Sequence, residues 1–419
     1  MVISFASNYI NHHQLPFCDA MNKMDNVEFH FIQTSPMEQK RIDMGWGVDV
    51  SKYPFVSLLY EEKEKCEELI LNSDVTIFGW TDGAIKNLEE KRLLSGKLSF
   101  RVSERIYREG QWKFISPKGL LNKYYEHIRY RNYPVYLLCA GAYVASDFSL
   151  IHSYPGKKLK WGYFPNVDST QTGEDSCNRQ ELAEDNAHIN SQKELNKNSS
   201  KEKIIRLCWA GRLIDLKHPE FAIEAAKVLK EKGYSFHLDM IGDGYKRKYL
   251  EELSNQYKLG DSVTFNGGLK PGNVIGYMKA ADIFMFTSNY LEGWGAVVNE
   301  AMQCKCAVVA SKEAGAVPFL IKAGENGLIY ENGSLQDFIE KVQSLFENQE
   351  QIKKFSENAK ITIDVKWNAE NAAKRLVEFS SEFLEGRKPS FYEDGPMSEA
   401  ENLKPAGIRR TLRERNVLE

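Results

Sequence analysis

Two carboxylates stand out by their spacing. Glu292 and Glu300 are separated by seven residues in Leu291-Glu292-Gly293-Trp294-Gly295-Ala296-Val297-Val298-Asn299-Glu300-Ala301-Met302. The preceding residues 281–288, Ala-Asp-Ile-Phe-Met-Phe-Thr-Ser, read as a short buried strand ending in polar residues. After Gly295 the apolar spacing turns helical. The two glutamates therefore flank a strand-to-helix turn, where unpaired N–H groups and the helix dipole suit a phosphate. Carboxylates there would repel the phosphate unless they accept hydrogen bonds from neutral hydroxyls of a ribose or a sugar. Backbone donors for phosphate beside carboxylates for diols are what a nucleotide-sugar needs.

A second constellation is Gly211-Arg212-Leu213-Ile214-Asp215-Leu216-Lys217, directly after an apolar run at 204–210. In open α/β sheets ligands bind beyond the carboxyl ends of strands. Arg212 and Lys217 leave the sheet there, and two fixed cations match the charge of a nucleoside diphosphate. Taken alone they would be ordinary surface side chains. Together with Glu292 and Glu300 at the end of another strand, they read as one site. No acidic cluster of the kind that holds magnesium is evident, so no metal is expected.

These residues need two sheets to carry them. Strands are expected at 2–6, 27–32, 74–79, 97–102, 134–139 and 159–163, with helices from Pro16 and over 61–71 and 84–94. Strands alternating with helices indicate a parallel sheet of Rossmann type. From 168 to 202 the side chains are mostly Asp, Glu, Asn, Gln and Ser, too polar to bury a core, which predicts an interdomain linker. The alternation resumes with strands at 204–210, 236–241, 262–265, 283–286 and 306–310. Helices are expected at 219–232, 245–257, 271–280 and 295–303, and a long amphipathic one at 368–384. The expected division is a domain at 1–168, a linker at 169–202, a second domain at 203–367, a helix at 368–386 and a polar, loosely ordered tail at 387–419.

The motifs Gly211-Arg212 with Lys217, Ile241-Gly242-Asp243-Gly244, Glu292-Gly293-Trp294-Gly295 with Glu300-Ala301-Met302, and Gly324-Glu325-Asn326-Gly327 occur in that order. In this the chain resembles family 4 of the GT-B glycosyltransferases, strongly over 204–384 and weakly over the first 168 residues. The resemblance implies an α/β GT-B fold: two Rossmann-like domains facing across a cleft, with a C-terminal helix crossing back to the first. It implies a retaining, metal-independent transfer of a hexose-type sugar from a nucleoside-diphosphate sugar (UDP- or GDP-linked) to a glycan or lipid-linked acceptor. It also implies that no protein nucleophile is required, the leaving phosphate taking the acceptor's proton. Arg212 and Lys217 would hold the diphosphate, Glu300 the ribose hydroxyls and Glu292 the transferred sugar. Backbone N–H groups of Gly293, Trp294, Gly295 and Ala296 would meet phosphate and sugar, and Gly242 and Leu269 would lie near the base. Two positions depart from the family pattern. Asn11-His12-His13-Gln14 stands where relatives often have Gly-Gly, and Val317-Pro318-Phe319 where many have Pro-Glu.

His12 and His13 either cap the helix beginning near Pro16 or, His13 in particular, line the cleft and position acceptor or phosphate. Glu104, where many relatives have a donor-contacting histidine, is either catalytic or a solvated partner of Arg105. Between 101 and 160 eleven Lys or Arg face four acids, an excess of seven in a chain of net charge −3. Aromatics interleave them, and a helix around 118–131 would put Leu120, Leu121, Tyr124 and Ile128 on one face. That face either packs on the domain, with a solvated basic side opposite, or meets an anionic membrane.

The remaining composition is that of an ordinary globular protein, 42% hydrophobic and 27% charged, with no global reason to bind nucleic acid. Seven scattered cysteines, Cys18, Cys66, Cys139, Cys177, Cys208, Cys304 and Cys306, show no metal-type spacing and favour a reduced, cytoplasmic setting. The N-terminal residues lack the pattern of a signal peptide. The reading is a glycosyltransferase of surface polysaccharide or cell-envelope synthesis, soluble or peripheral at the inner face of the membrane. The alternatives are a GT-B epimerase or phosphorylase, and a nucleotide-sugar-binding subunit without catalysis.

Overall fold

The computed structural model describes residues 1–167 and 204–405; the expected linker lies outside them. The chain divides into two compact units, Met1–Pro165 with Val365–Glu419, and Asn166–Asp364.

In the first unit seven strands form one sheet: β1 Val2–Ser7, β2 Glu28–Gln33, β3 Val56–Leu58, β4 Val75–Phe78, β5 Ser99–Ser103, β6 Val135–Ala140 and β7 Lys158–Trp161. Their order is β3-β2-β1-β4-β5-β6-β7, every pair parallel. β4 is buried along its whole length, as a strand with helices on both faces must be. The strand order reverses between β1 and β4, so the loops after these two strands diverge and leave a crevice.

Helix Ala369–Leu384 belongs to this unit. Asn368 caps it, its side chain accepting from Asn371 N at 2.7 Å. Phe379 lies edge-on against Phe100 of β5 (5.8 Å) and Tyr136 of β6 (4.9 Å). The described residues that follow, up to 405, are not a loose tail. Met397 and Ser398 are buried, and Lys160 N of β7 donates to Ser398 O at 2.8 Å. Asp394 accepts from Lys366 (2.9 Å) and Lys160 (3.2 Å). Burial alone would raise this carboxyl, but the two lysines hold it down at about 2. Polar composition misleads here because the segment is held by backbone bonds and ion pairs, with few apolar anchors.

The second unit carries six strands: β8 Ile205–Ala210, β9 Phe236–Ile241, β10 Val263–Gly267, β11 Ile283–Phe286, β12 Ala307–Ser311 and β13 Leu328–Tyr330. Their order is β10-β9-β8-β11-β12-β13, again all parallel. Helix Glu220–Glu231 turns Phe221, Ala222, Ala225 and Leu229 inward, and Phe221 meets Phe338 of helix Leu335–Glu347 at 6.0 Å. Each such aromatic is worth roughly 2–3 kcal/mol of transfer energy on burial. The order reverses between β8 and β11. The two motif-bearing loops, after 210 and after 286, therefore leave the sheet at its switch point.

Candidate functional site

At that switch point the loops after β8, β9 and β10 are stapled through their backbones. Gly211 N donates to Ile241 O (2.9 Å), Leu213 N to Asp243 O (2.9 Å) and Gly242 N to Gly267 O (2.7 Å). The approach is close enough that a Cβ on Gly242, at φ 136°, would fall 1.8 Å from Gly211 O. No side chain fits there, so the glycine is a requirement of packing. Gly267 begins the stretch that leads to Leu269, and its bond to Gly242 puts both residues expected near a base on one rim.

Lys217 and Glu292 meet directly. The ammonium donates to the carboxylate, both side chains being 15% exposed. Thr287 Oγ1, at the end of β11, donates to Lys217 O at 2.6 Å and accepts from Trp209 Nε1 at 2.7 Å. The lysine backbone is thereby tied to the core. Arg212 is exposed, and its guanidinium makes no hydrogen bond or ion pair among the described residues. One cation is thus held in place and the other is free to reach a ligand.

The turn into the helix follows from Gly295, which sits at φ 94° and caps helix Ala296–Gln303. A Cβ on it would strike the Phe286 ring at 2.6 Å. Trp294 is buried, and its indole donates to Asn299 Oδ1 at 2.8 Å. Its side chain is structural and only the backbone of this turn can face a ligand. One turn on, the Glu300 carboxyl has no hydrogen-bond partner among the described residues, and burial pushes its pKa up to about 7. A carboxyl that gives up water and gains nothing in the empty protein is poised to accept hydrogen bonds from a ligand's hydroxyls.

Sequence reasoning passed over the support for Lys217. His218 adopts a left-handed conformation at φ 43°. Its Nδ1 lies 3.0 Å from Glu220 Oε1 and its Nε2 3.3 Å from Asn289. Glu220 also accepts from Lys246 at 2.9 Å, as does Asp215. Burial pushes the Glu220 carboxyl up, but the bonds from His218 and Lys246 outweigh it and leave it below the ordinary range. The only signal in the sequence was a histidine before the helix-starting Pro219. Among the described residues no group of three or more His, Cys, Asp or Glu is placed to hold a metal ion.

His13 and Glu104 belong to the first unit, beside its own switch point. The histidines do not cap helix Leu15–Asn22. Asn11 holds that turn, its Oδ1 accepting from His13 N (3.0 Å) and Gln14 N (3.2 Å). The His12 and His13 rings are 3.9 Å apart and lie edge-on to Trp46. Burial drives their pKa values down to about 4 and about 3, so both are neutral, and among the described residues both Nδ1 atoms lack a partner. Neutral imidazoles of that kind can position a hydroxyl but make poor proton acceptors at neutral pH. Glu104 pairs with Arg108, not Arg105, and accepts from Tyr163 OH at 3.0 Å. Arg105 is instead buried against Asp147 at 3.2 Å. The Tyr163 ring lies 6.0 Å from His13, so the tyrosine joins the two expected residues into one polar patch.

Residues 190–362 match the family model "Glycosyl transferases group 1". An uncharacterized glycosyltransferase of Methanocaldococcus jannaschii is 32% identical over 174 residues, 41% of this chain and 43% of that protein. The amylovoran biosynthesis glycosyltransferase AmsK of Erwinia amylovora is 26% identical over 179 residues, 42% and 44% of the two chains. The matched segment thus spans less than half the length of these curated relatives. In three dimensions, the crystal structure of Anabaena HepE in complex with UDP superposes with a TM-score of 0.64 at 15% identity, over 91% of this chain and 99% of that one. A likeness at that identity establishes a shared fold.

Proposed function

We propose that the protein, whose residues 190–362 match the family model of glycosyl transferases group 1, is a retaining glycosyltransferase. It moves a hexose-type sugar from a nucleoside-diphosphate sugar to a glycan or lipid-linked acceptor in the synthesis of a surface polysaccharide. The observation that carries this reading is the division of charge at the β8–β11 switch point. Arg212, Lys217 and the start of helix Ala296–Gln303 supply positive potential for a diphosphate. Glu300, without a partner among the described residues, is a carboxyl for a ribose diol, and Glu292 is held by Lys217 at the sugar end.

In the reaction the bond between the anomeric carbon and the diphosphate oxygen breaks. The acceptor hydroxyl bonds to that carbon from the same face, and its proton passes to the departing phosphate. Negative charge grows on the diphosphate, where Arg212, Lys217 and the helix N-terminus stabilise it. As phosphate draws Lys217 away, Glu292 is released to accept from the sugar's hydroxyls. These fixed cations take the role that a metal plays elsewhere, and transfer is expected to survive a chelator. The amylovoran relative supports the polysaccharide setting.

A thermal-shift screen against UDP-, GDP-, ADP- and CMP-sugars identifies the donor, and a product assay with glycan acceptors follows. Stabilisation by one donor and acceptor-dependent product with retained anomeric configuration are expected. Donor turnover to an isomerised sugar without acceptor would replace transfer by epimerisation. Donor binding with no turnover on any acceptor would leave only a binding subunit.

A further inference from the structure

Of the two alternatives left open for Leu120, Leu121 and Tyr124, helix Pro117–Glu126 does not take the one in which they pack on their domain. No residue of this ten-residue helix is buried. Leu120 is 42% exposed, Leu121 56%, Tyr124 48% and Tyr125 55%, and the preceding turn adds Trp112 at 50% and Ile115 at 70%. A helix this short, with no face packed, has little of its own to hold it. Six large apolar side chains within fourteen residues form a surface patch of the kind that marks an interaction site. Of the four residues expected on one face, it is Ile128, just beyond the helix, that packs on the core of the unit.

The charges around the patch select the partner. At helical spacing Lys118 and Lys123 fall on opposite borders of the stripe formed by Leu120, Leu121, Tyr124 and Tyr125. Of the six Lys or Arg between 108 and 131, Arg108, Lys113, Lys123 and Arg129 pair with Glu104, Glu109, Glu126 and Glu90. Lys118 and Arg131 make no ion pair among the described residues. An apolar stripe carrying Trp and Tyr, bordered by lysines whose stems can lie along it, matches the boundary of an anionic bilayer. A second copy of the same patch would bring like charges together, which opposes self-association. No helix among the described residues is long and apolar enough to cross a membrane, so contact through this patch is peripheral.

We propose that the face formed by Trp112, Ile115, Leu120, Leu121, Tyr124 and Tyr125, with Lys118 and Arg131, docks the protein on anionic lipid. The apolar side chains enter the interface and the cations meet headgroup phosphates. A lipid-linked acceptor would then be presented at the same surface on which the enzyme rests.

The full chain is sedimented with phosphatidylcholine vesicles that contain or lack phosphatidylglycerol. Binding is expected to the anionic vesicles at low ionic strength and to fall as salt is added. Lys118→Ala with Arg131→Ala should weaken it about 30-fold, the effect of removing two cations from an anionic surface. Leu120→Ser with Leu121→Ser should remove most of what remains. Bromine-labelled lipid should quench tryptophan emission in the parent and less so in Trp112→Phe. Circular dichroism and nucleotide binding, which read the fold and the second unit, should be unchanged in every variant. Absence of binding to anionic vesicles at low salt overturns the proposal. So does equal binding by the parent and both double variants, or a lipid-free dimer that the leucine substitutions abolish.

Discussion

Glu300 offers a test in which stability and ligand binding move in opposite directions. Burial raises its carboxyl from an ordinary 4.5 to about 7. The folded state therefore holds this proton more tightly than the unfolded chain. Stability contributed at this position is full below pH 4.5 and is lost as pH rises to about 7. At 1.36 kcal/mol per unit, the loss at alkaline pH approaches about 3 kcal/mol. Glu300→Gln keeps the shape and removes the charge. It should raise the melting temperature by up to roughly 6–12 °C at about pH 8, for a unit of this size, and leave it nearly unchanged at about pH 4. A nucleoside diphosphate should behave oppositely. Ribose hydroxyls donate to the ionised carboxylate, so affinity for the wild type should rise with pH through about 7 and binding should release protons. The glutamine variant should bind about 10- to 100-fold more weakly, the value of hydrogen bonds to a charged group. Differential scanning fluorimetry across pH reads the first effect, and calorimetry with UDP or GDP in buffers of different ionisation heat reads the second. A variant destabilised at about pH 8, or one that binds the nucleotide as tightly as the wild type, refutes the reasoning.

Other perturbations reach different parts of the molecule. Arg212→Ala or Lys217→Ala should lower kcat by about 10²–10³ while circular dichroism stays native, as for loss of one group that stabilises transition-state charge. Gly242→Ala forces a Cβ to 1.8 Å from Gly211 O at φ 136°; it should cost more than about 3 kcal/mol in chemical denaturation and abolish donor binding. Arg105→Ala strands the buried Asp147 carboxylate and should cost about 3–5 kcal/mol by the same measurement. His218→Ala should loosen the loop that carries Lys217, raising KM for donor more than it lowers kcat, and His218→Gln should recover part of the loss through one retained hydrogen bond.

The fold could be read from the sequence where elements carry their own pattern. Strands such as Phe236–Ile241 and helices such as Pro271–Ala280 lie where the apolar runs and their boundary residues place them. Val56–Leu58 and Leu328–Tyr330 went unseen because three residues have no measurable period. Segment 391–400 looked like a tail because the bonds of Lys160 and Lys366 to Asp394 are remote in sequence. For helix Pro117–Glu126 the amphipathic spacing was evident, but spacing defines a face without saying what covers it. It left open whether the domain covers that face, and the structure shows that the domain does not.

The site divides along the same line. The types and order of Arg212, Lys217, Glu292 and Glu300 and of the glycines between them stand in the sequence, because tight backbone approach and charge on a short loop are local requirements. Tertiary structure decided how the charges are shared. Lys217 is paired with Glu292, whereas Glu300 has no partner among the described residues and burial raises its pKa to about 7. It also decided that His12 and His13 are neutral and that Glu104 answers to Arg108 and Tyr163. The reason is physical: pairing and protonation depend on desolvation and on neighbours brought together by strand order, neither of which is written in the spacing of residues along the chain.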